Sequence, residues 1–162
     1  LDALDFPDAA DAVEMLLQLD AHAFRPFNMV VADNRDAFWL RNLGQKVEAE
    51  KLPPGLSMVT ASDRNDLNSR RIGWFLPRWQ AAAVPDPQTG DWGTWEELLS
   101  DRGHDPSGTV FDAMSIISNT GFGTVSSSLI ALPAPQFAAR RPVWRFVGGR
   151  PDKASLWTQV EL

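Results

Sequence analysis

The apolar residues of this chain come in short runs, and proline, glycine or a cluster of polar turn formers stops each one. No run approaches the ~20 residues that a membrane-spanning helix needs. Such punctuation limits the chain to short strands, paired as hairpins, and to helices of a few turns packed on them. The pattern predicts an α+β fold with mostly antiparallel strands. No internal repeat, low-complexity tract or clear linker interrupts the sequence, so residues 1–162 read as a single domain.

Residues 8–20 have helical periodicity, with Val13, Leu16 and Leu17 at i, i+3 and i+4. Asp8 and Asp11 sit near the start, where the helix dipole favours anions. Arg25-Pro26 breaks the pattern, because the residue before proline avoids the helical region. Residues 27–32 read as a buried strand. Asp33, Asn34, Arg35 and Asp36 have turn composition, and residues 37–41 return as the second strand of a hairpin. Residues 46–50 alternate as an exposed strand, and residues 56–60 form another strand candidate after Pro53-Pro54-Gly55. The polar residues 62–69 lead into a helix capped by Asn68 or Ser69. Ile72, Trp74, Phe75 and Trp79 give that helix an apolar face, and Pro77 is expected to limit or kink it. Thr94 and Glu97 have capping-box spacing, which predicts a short helix over 94–99. Residues 113–118, 124–132, 143–147 and 156–160 are strand-like.

Composition removes several function classes. The formal net charge is -6 and the densest cationic stretches are pairs, so nothing favours nucleic acid. The chain contains no Cys, which excludes disulfides, thiolate metal sites and a cysteine nucleophile within it. That fits a reducing compartment, and a cytoplasmic location is expected. Residues 1–11 carry acidic charge and no basic region of the signal-peptide kind. Seven Trp and no Tyr leave Trp, Phe and the aliphatics to fill the core.

Three stretches carry a family resemblance. The first is Arg25-Pro26-Phe27-Asn28-Met29-Val30-Val31-Ala32-Asp33, followed by Phe38-Trp39 and Arg41-Asn42. The second is Pro54-Gly55-Leu56-Ser57-Met58-Val59-Thr60, ahead of a polar loop and a helix. The third is Gly123-Thr124-Val125-Ser126-Ser127-Ser128-Leu129-Ile130-Ala131-Leu132, followed by Val143-Trp144-Arg145-Phe146. Their order and spacing resemble the C-terminal part of the NRDE family, also called the Transport and Golgi organisation protein 2 family. The resemblance covers nearly the whole chain. It implies a relative of N-terminal-nucleophile hydrolases, with a four-layer αββα sandwich that this chain would supply only in part. It also implies an upstream segment beginning Met-Cys. In that branch the N-terminal Cys attacks an amide and its own amine serves as base.

Departures from the family pattern bear on that chemistry. Ala61 stands where many relatives carry Asn, and Val125 stands where Arg usually follows Gly-Thr. Polar groups at those places would orient substrate or stabilise charge. Asn34-Arg35-Asp36 echoes the name-giving Asn-Arg-Asp-Glu motif, but Ala37 takes the place of Glu and the context fits the Phe-Asn strand better.

Asn28, inside an apolar strand, faces either a ligand pocket or a backbone partner. Thr60, Asp63, Asn65 and Asp66 make the densest polar cluster at a strand end, where both binding sites and turns occur. Arg70, beside Arg71, is placed either to hold an anionic head group or simply to be solvated. Ser126 to Ser128 would need a His and an acid nearby to act as a nucleophile, and neither His22 nor His104 sits in a recognisable motif. One His beside Asp105 is poor evidence for a metal, so none is expected. The aromatic stretch at 74–79 lines either an apolar groove or a core.

Three functions follow from the resemblance and these residues. The first is a non-catalytic binder or carrier of a small apolar metabolite, of haem or acyl-lipid type. Its ligand-binding candidates are Asn28, Thr60, Asp63, Asn65 and Arg70. The second is an acyl-amide hydrolase whose Cys lies on an upstream segment. The third is a structural half-domain that needs that segment as its partner. Missing catalytic groups and abundant aromatics favour the first.

Overall fold

The computed structural model describes residues 2–149 and 157–161. The chain divides into two compact units, Leu1–Asn65 with Ala134–Phe137, and Asp66–Pro133 with Ala138–Leu162. Each unit holds one three-stranded sheet and every ladder is antiparallel, so the α+β class and the strand pairing are as the sequence predicts. No helix among the described residues is long and apolar enough to cross a membrane.

In the first unit, helix α1 spans Ala9–Leu16. It stops short of the periodicity at 8–20. Asp20 turns its carboxylate to the next turn instead, accepting the N–H of His22 at 3.0 Å. A side chain that bonds backbone two residues ahead competes with the helix. Strands β1 (Phe27–Ala32), β2 (Ala37–Asn42) and β3 (Val47–Lys51) follow in the order β1-β2-β3. Side chains alternate across a strand, so the register decides the faces. Met29 lies opposite Leu40, and Val31 opposite Phe38. With Phe27 they look toward α1, over a core of Val13, Leu16, Ala21, Leu40 and Val47. The other face carries Asn28, Trp39, Arg41, Glu48 and Glu50. Asn42 is fully buried; it donates to the carbonyl of Ala21 at 2.9 Å and accepts the N–H of Gly44 at 2.7 Å.

Asp8 occupies the N-cap position of α1 but makes no capping bond. Asp33, from the turn between β1 and β2, supplies it. Its Oδ2 accepts the N–H of Ala9 at 2.9 Å, while Oδ1 accepts those of Arg35 at 2.6 Å and Asp36 at 2.8 Å. These donors, Ala9 foremost, hold the carboxyl below its ordinary pKa of 3.8. A depressed pKa contributes stability above the unfolded value and loses it as pH falls through the folded one. Asp33→Ala is therefore expected to cost about 0.5–2 kcal/mol at pH 7, as other lost caps do. In thermal melts the gap between wild type and variant should narrow below pH 4. A gap that stays constant from pH 7 to pH 3 would contradict this role.

In the second unit, strands β4 (Ser126–Ala131), β5 (Val143–Gly148) and β6 (Thr158–Val160) lie in the order β4-β5-β6. Trp92, Leu129, Val143, Val147 and Trp157 form its buried cluster, with Trp95 and Leu99 packed against it. Helix α2 covers Arg70–Ala81 and α3 covers Trp95–Ser100. Ile72 and Phe75 are fully buried, and Trp79 meets the Trp95 ring edge-on at 5.2 Å. The apolar side of α2 thus serves a core.

Several sequence expectations fail for local reasons. Residues 56–60 are not a strand. Met58 exchanges bonds with Asn65 instead, its N–H reaching Oδ1 at 2.7 Å and its carbonyl accepting the Asn65 N–H at 2.9 Å. Residues 113–118 contribute only an isolated bridge, Ile117 to Gly123. The N–H of Ser115 goes to the carbonyl of Asp101 and that of Ile116 to the Thr124 hydroxyl, each at 2.9 Å. Helix α2 continues through Pro77 to Ala81, with the Arg78 guanidinium bonded to the Trp74 carbonyl and stacked on its ring. Thr94 caps α3 in position only. Its ψ of 0° keeps the hydroxyl from the helix N–H groups, so the expected capping box does not form. One forms instead at Thr109 and Asp112. Of the strand expected at 156–160, Leu156 lies outside the described residues.

Candidate functional site: the polar face of the first sheet

The register of the hairpin assembles this face. A four-residue turn joins β1 and β2, so Asn28 falls opposite Arg41 and Val30 opposite Trp39. β3 then brings Glu48 opposite Arg41 and Glu50 opposite Trp39. Five polar or aromatic side chains thereby share one side of a sheet whose other side is apolar.

Asn28 organises one end. Its Nδ2 donates to the carbonyls of Thr60 at 2.9 Å and Ser62 at 3.4 Å, and its Oδ1 accepts the indole N–H of Trp39 at 2.9 Å. This fixes the 60–64 loop over the sheet and locks the Trp39 ring. Removing one partner of such a network leaves the others desolvated and unpaired. Arg41 organises the other end. Its Nε and NH2 donate to Glu48 Oε2 at 2.9 Å, and its NH1 donates to Asp63 Oδ1 at 2.8 Å. Its guanidinium lies 5.4 Å from the centre of the Trp39 ring. Asp63, then Glu48, hold Arg41 still more firmly protonated. Lys46, 2.9 Å from Glu48, and then Arg41 keep the Glu48 carboxyl below its ordinary range. Arg64 reaches Glu50 at 2.8 Å.

These groups border a groove of about 740 Å³. Trp39 borders it from the polar face, while Val47 and Ala49, on the α1 side of β3, and Leu17, at the end of α1, border it round the β3 edge. Arg41, Lys46 and Arg64 give it three cations, facing Glu48, Glu50 and Asp63. The lining contains no Ser, Thr, His or Met. Among the described residues it therefore offers no hydroxyl–imidazole pair and no soft or imidazole donor for a metal. What it can do is hold a polar head on the arginine fork and lay an apolar body round the β3 edge, over Ala49 toward Leu17.

No family model, curated protein or solved structure matches this chain.

Four of the five residues singled out in the sequence gather around this face, though their roles differ. Asn28 is a positioning residue, with both ends of its amide engaged. Thr60 contributes its carbonyl to Asn28 and its hydroxyl to the N–H of Ser62 at 3.1 Å. Asn65 holds the base of the loop with a positive φ of 55°. Asp63 alone of the four lines the groove. Arg70 belongs to the second unit, where it is exposed at the start of α2; the Ser107 hydroxyl and N–H hold the Asp105 carboxyl below its ordinary range, and Arg70 adds a smaller pull. Sequence reasoning passed over Trp39, Arg41, Glu48 and Arg64 as site residues. Counting the hairpin register across the turn would have placed the first two on the side of Asn28.

Among the described residues, Ser128, His22 and His104 each meet a different neighbour. Ser128 accepts the indole N–H of Trp144 at 3.3 Å. His22 and its neighbour Asp20 are largely exposed at 3.4 Å, and His104 contacts the carbonyl of Asp105 at 2.8 Å.

Proposed function

We propose that this protein is an NRDE-like, non-catalytic binder of a small apolar metabolite with an anionic head, held in the groove on the first sheet. The observation that carries the reading is the pairing of an exposed apolar rim at the β3 edge (Leu17, Ala49) with a fixed guanidinium fork at Arg41. The ligand's carboxylate competes with the exposed Asp63 for that fork, beside Trp39, while its tail runs over Ala49 and Leu17. The N-terminal-nucleophile sandwich remains part of this proposal, since the open sheet is one layer such a fold would use.

Between the two metabolite classes, the lining favours the acyl type. Haem propionates would find the same cations, but no His or Met borders the groove to ligate an iron. An acyl carboxylate needs no such donor.

Calorimetric titration tests this. Laurate is expected to bind the wild-type protein, and dodecanol and dodecylamine to bind at least about tenfold more weakly. Arg41→Gln should weaken laurate by a similar factor. Equal binding of acid, alcohol and amine, or no binding of any, would reject the reading.

A further inference from the structure

The two outer strands of the first sheet are built differently. The β3 edge carries Glu48, Glu50 and Lys51, with Lys46 just before it. Charges along an outer strand discourage another chain from pairing there. The β1 edge, Phe-Asn-Met-Val-Val-Ala, has no charge at all. Met29 is 37% and Val30 50% exposed. Among the described residues, no backbone hydrogen bond of 27–32 goes beyond its ladder with β2. Beside it runs a second groove, of about 440 Å³, bordered by Leu4, Phe6, Pro7, Met29 and Val30. A bare, uncharged edge with an apolar trough beside it is a template for one more strand.

The ends of β1 indicate which strand. Arg25 lies two residues before the strand, exposed and in no ion pair among the described residues. Asp33 lies one residue after it, and its three hydrogen bonds all come from backbone N–H groups, so no cation neutralises it directly. The nearby Arg35 is taken up by Asp8 at 3.7 Å. Antiparallel pairing of two β1 strands about a two-fold axis at Met29 sets residue 25 opposite 33, because the two positions are equally far from 29. Arg25 of each copy then meets Asp33 of the other, twice over. The same register puts Phe27 opposite Val31, an aromatic on a β-branched residue, and Met29 opposite itself. The apolar, helix-bearing faces of the two sheets become continuous.

We infer that β1 is a self-complementary docking strand through which two copies of this chain join their first sheets into one. Because the interface is isologous, a single substitution appears in it twice.

Two measurements on the 162-residue chain test this. Sedimentation velocity should show a monomer–dimer equilibrium that Met29→Lys shifts to monomer, with the dissociation constant raised at least about tenfold by two like charges placed face to face. Met29→Leu should leave it unchanged. Met29→Cys gives a chain with a single thiol at the two-fold axis, where directly opposed strand residues lie within disulfide range. Mild oxidation should link it into a covalent dimer much faster than Ala49→Cys on the β3 edge. A wild-type chain that stays monomeric at millimolar concentration would overturn the inference. So would equal cross-linking rates at 29 and 49, or a Met29→Cys thiol shielded in a monomer, which would place some other segment on the edge.

Discussion

Leu40→Ala is expected to destabilise the first unit by about 2–5 kcal/mol, against a typical domain total of about 5–15. Leu40 sits at the middle of β2, the central strand, with no exposure at all. It is the largest aliphatic on the sheet side of a core with only five fully committed members, Val13, Leu16, Ala21, Leu40 and Val47. Its backbone is held between Met29 on one side and Ala49 on the other. The site therefore has little freedom to collapse around a cavity, which puts the cost toward the upper end. Urea unfolding by circular dichroism, with hydrogen exchange of the β1–β3 amides, reads the effect. Leu40→Met, which conserves volume, should cost under about 1.5 kcal/mol. Similar losses for the two variants would show that the core is not packed around this residue.

Trp92→Ala should be at least as damaging, at about 3–5 kcal/mol. Trp92 is 3% exposed and joins Leu129 of β4, Val143 and Val147 of β5, and Trp157 in one cluster. It comes from the loop ahead of α3, so the core of the second sheet depends on a loop residue for one of its buried Trp rings. Trp92→Phe keeps an aromatic ring in place and should lose roughly half as much. Hydrogen exchange of the β4 and β5 amides is the readout. Unaltered protection in Trp92→Ala would mean that the sheet closes its core without the ring.

Much of the fold is legible in the sequence where local chemistry and packing agree. The Phe27–Ala32 strand, its turn and its return strand are found where the apolar run and the turn residues place them, because hairpin pairing is local, but β1 is an outer strand with no buried residue instead of the buried strand expected. The helix at Arg70–Ala81 and the short one after Thr94 are likewise present. Failures occur where one side chain redirects a backbone. Asn65 takes the N–H of Met58 and removes a strand at 56–60. Thr124 takes the N–H of Ile116 and leaves a bridge where a strand was expected. Such long-range side-chain bonds leave no periodic trace.

The candidate site follows the same rule. Asn28 stands out in the sequence as the one polar residue in an apolar strand, and it proves to anchor the loop above the sheet. Trp39 and Arg41 do not stand out, because aromatic and charged residues in a strand are commonplace. Only the cross-strand register makes them neighbours of Asn28. Arg70, singled out apart from that cluster, lies beyond the boundary between the compact units.

The central claim is that the groove beside Trp39 takes up an amphipathic anion. The most direct test is a nitrogen-15 spectrum of the indole and arginine side-chain N–H signals during a laurate titration. Seven Trp give seven indole probes. The account expects saturable shifts of the Trp39 indole and the Arg41 Nε signals, with the indole signals of Trp92 and Trp157 unmoved. Saturable shifts confined to the other indoles, or none at all at millimolar laurate, would contradict it.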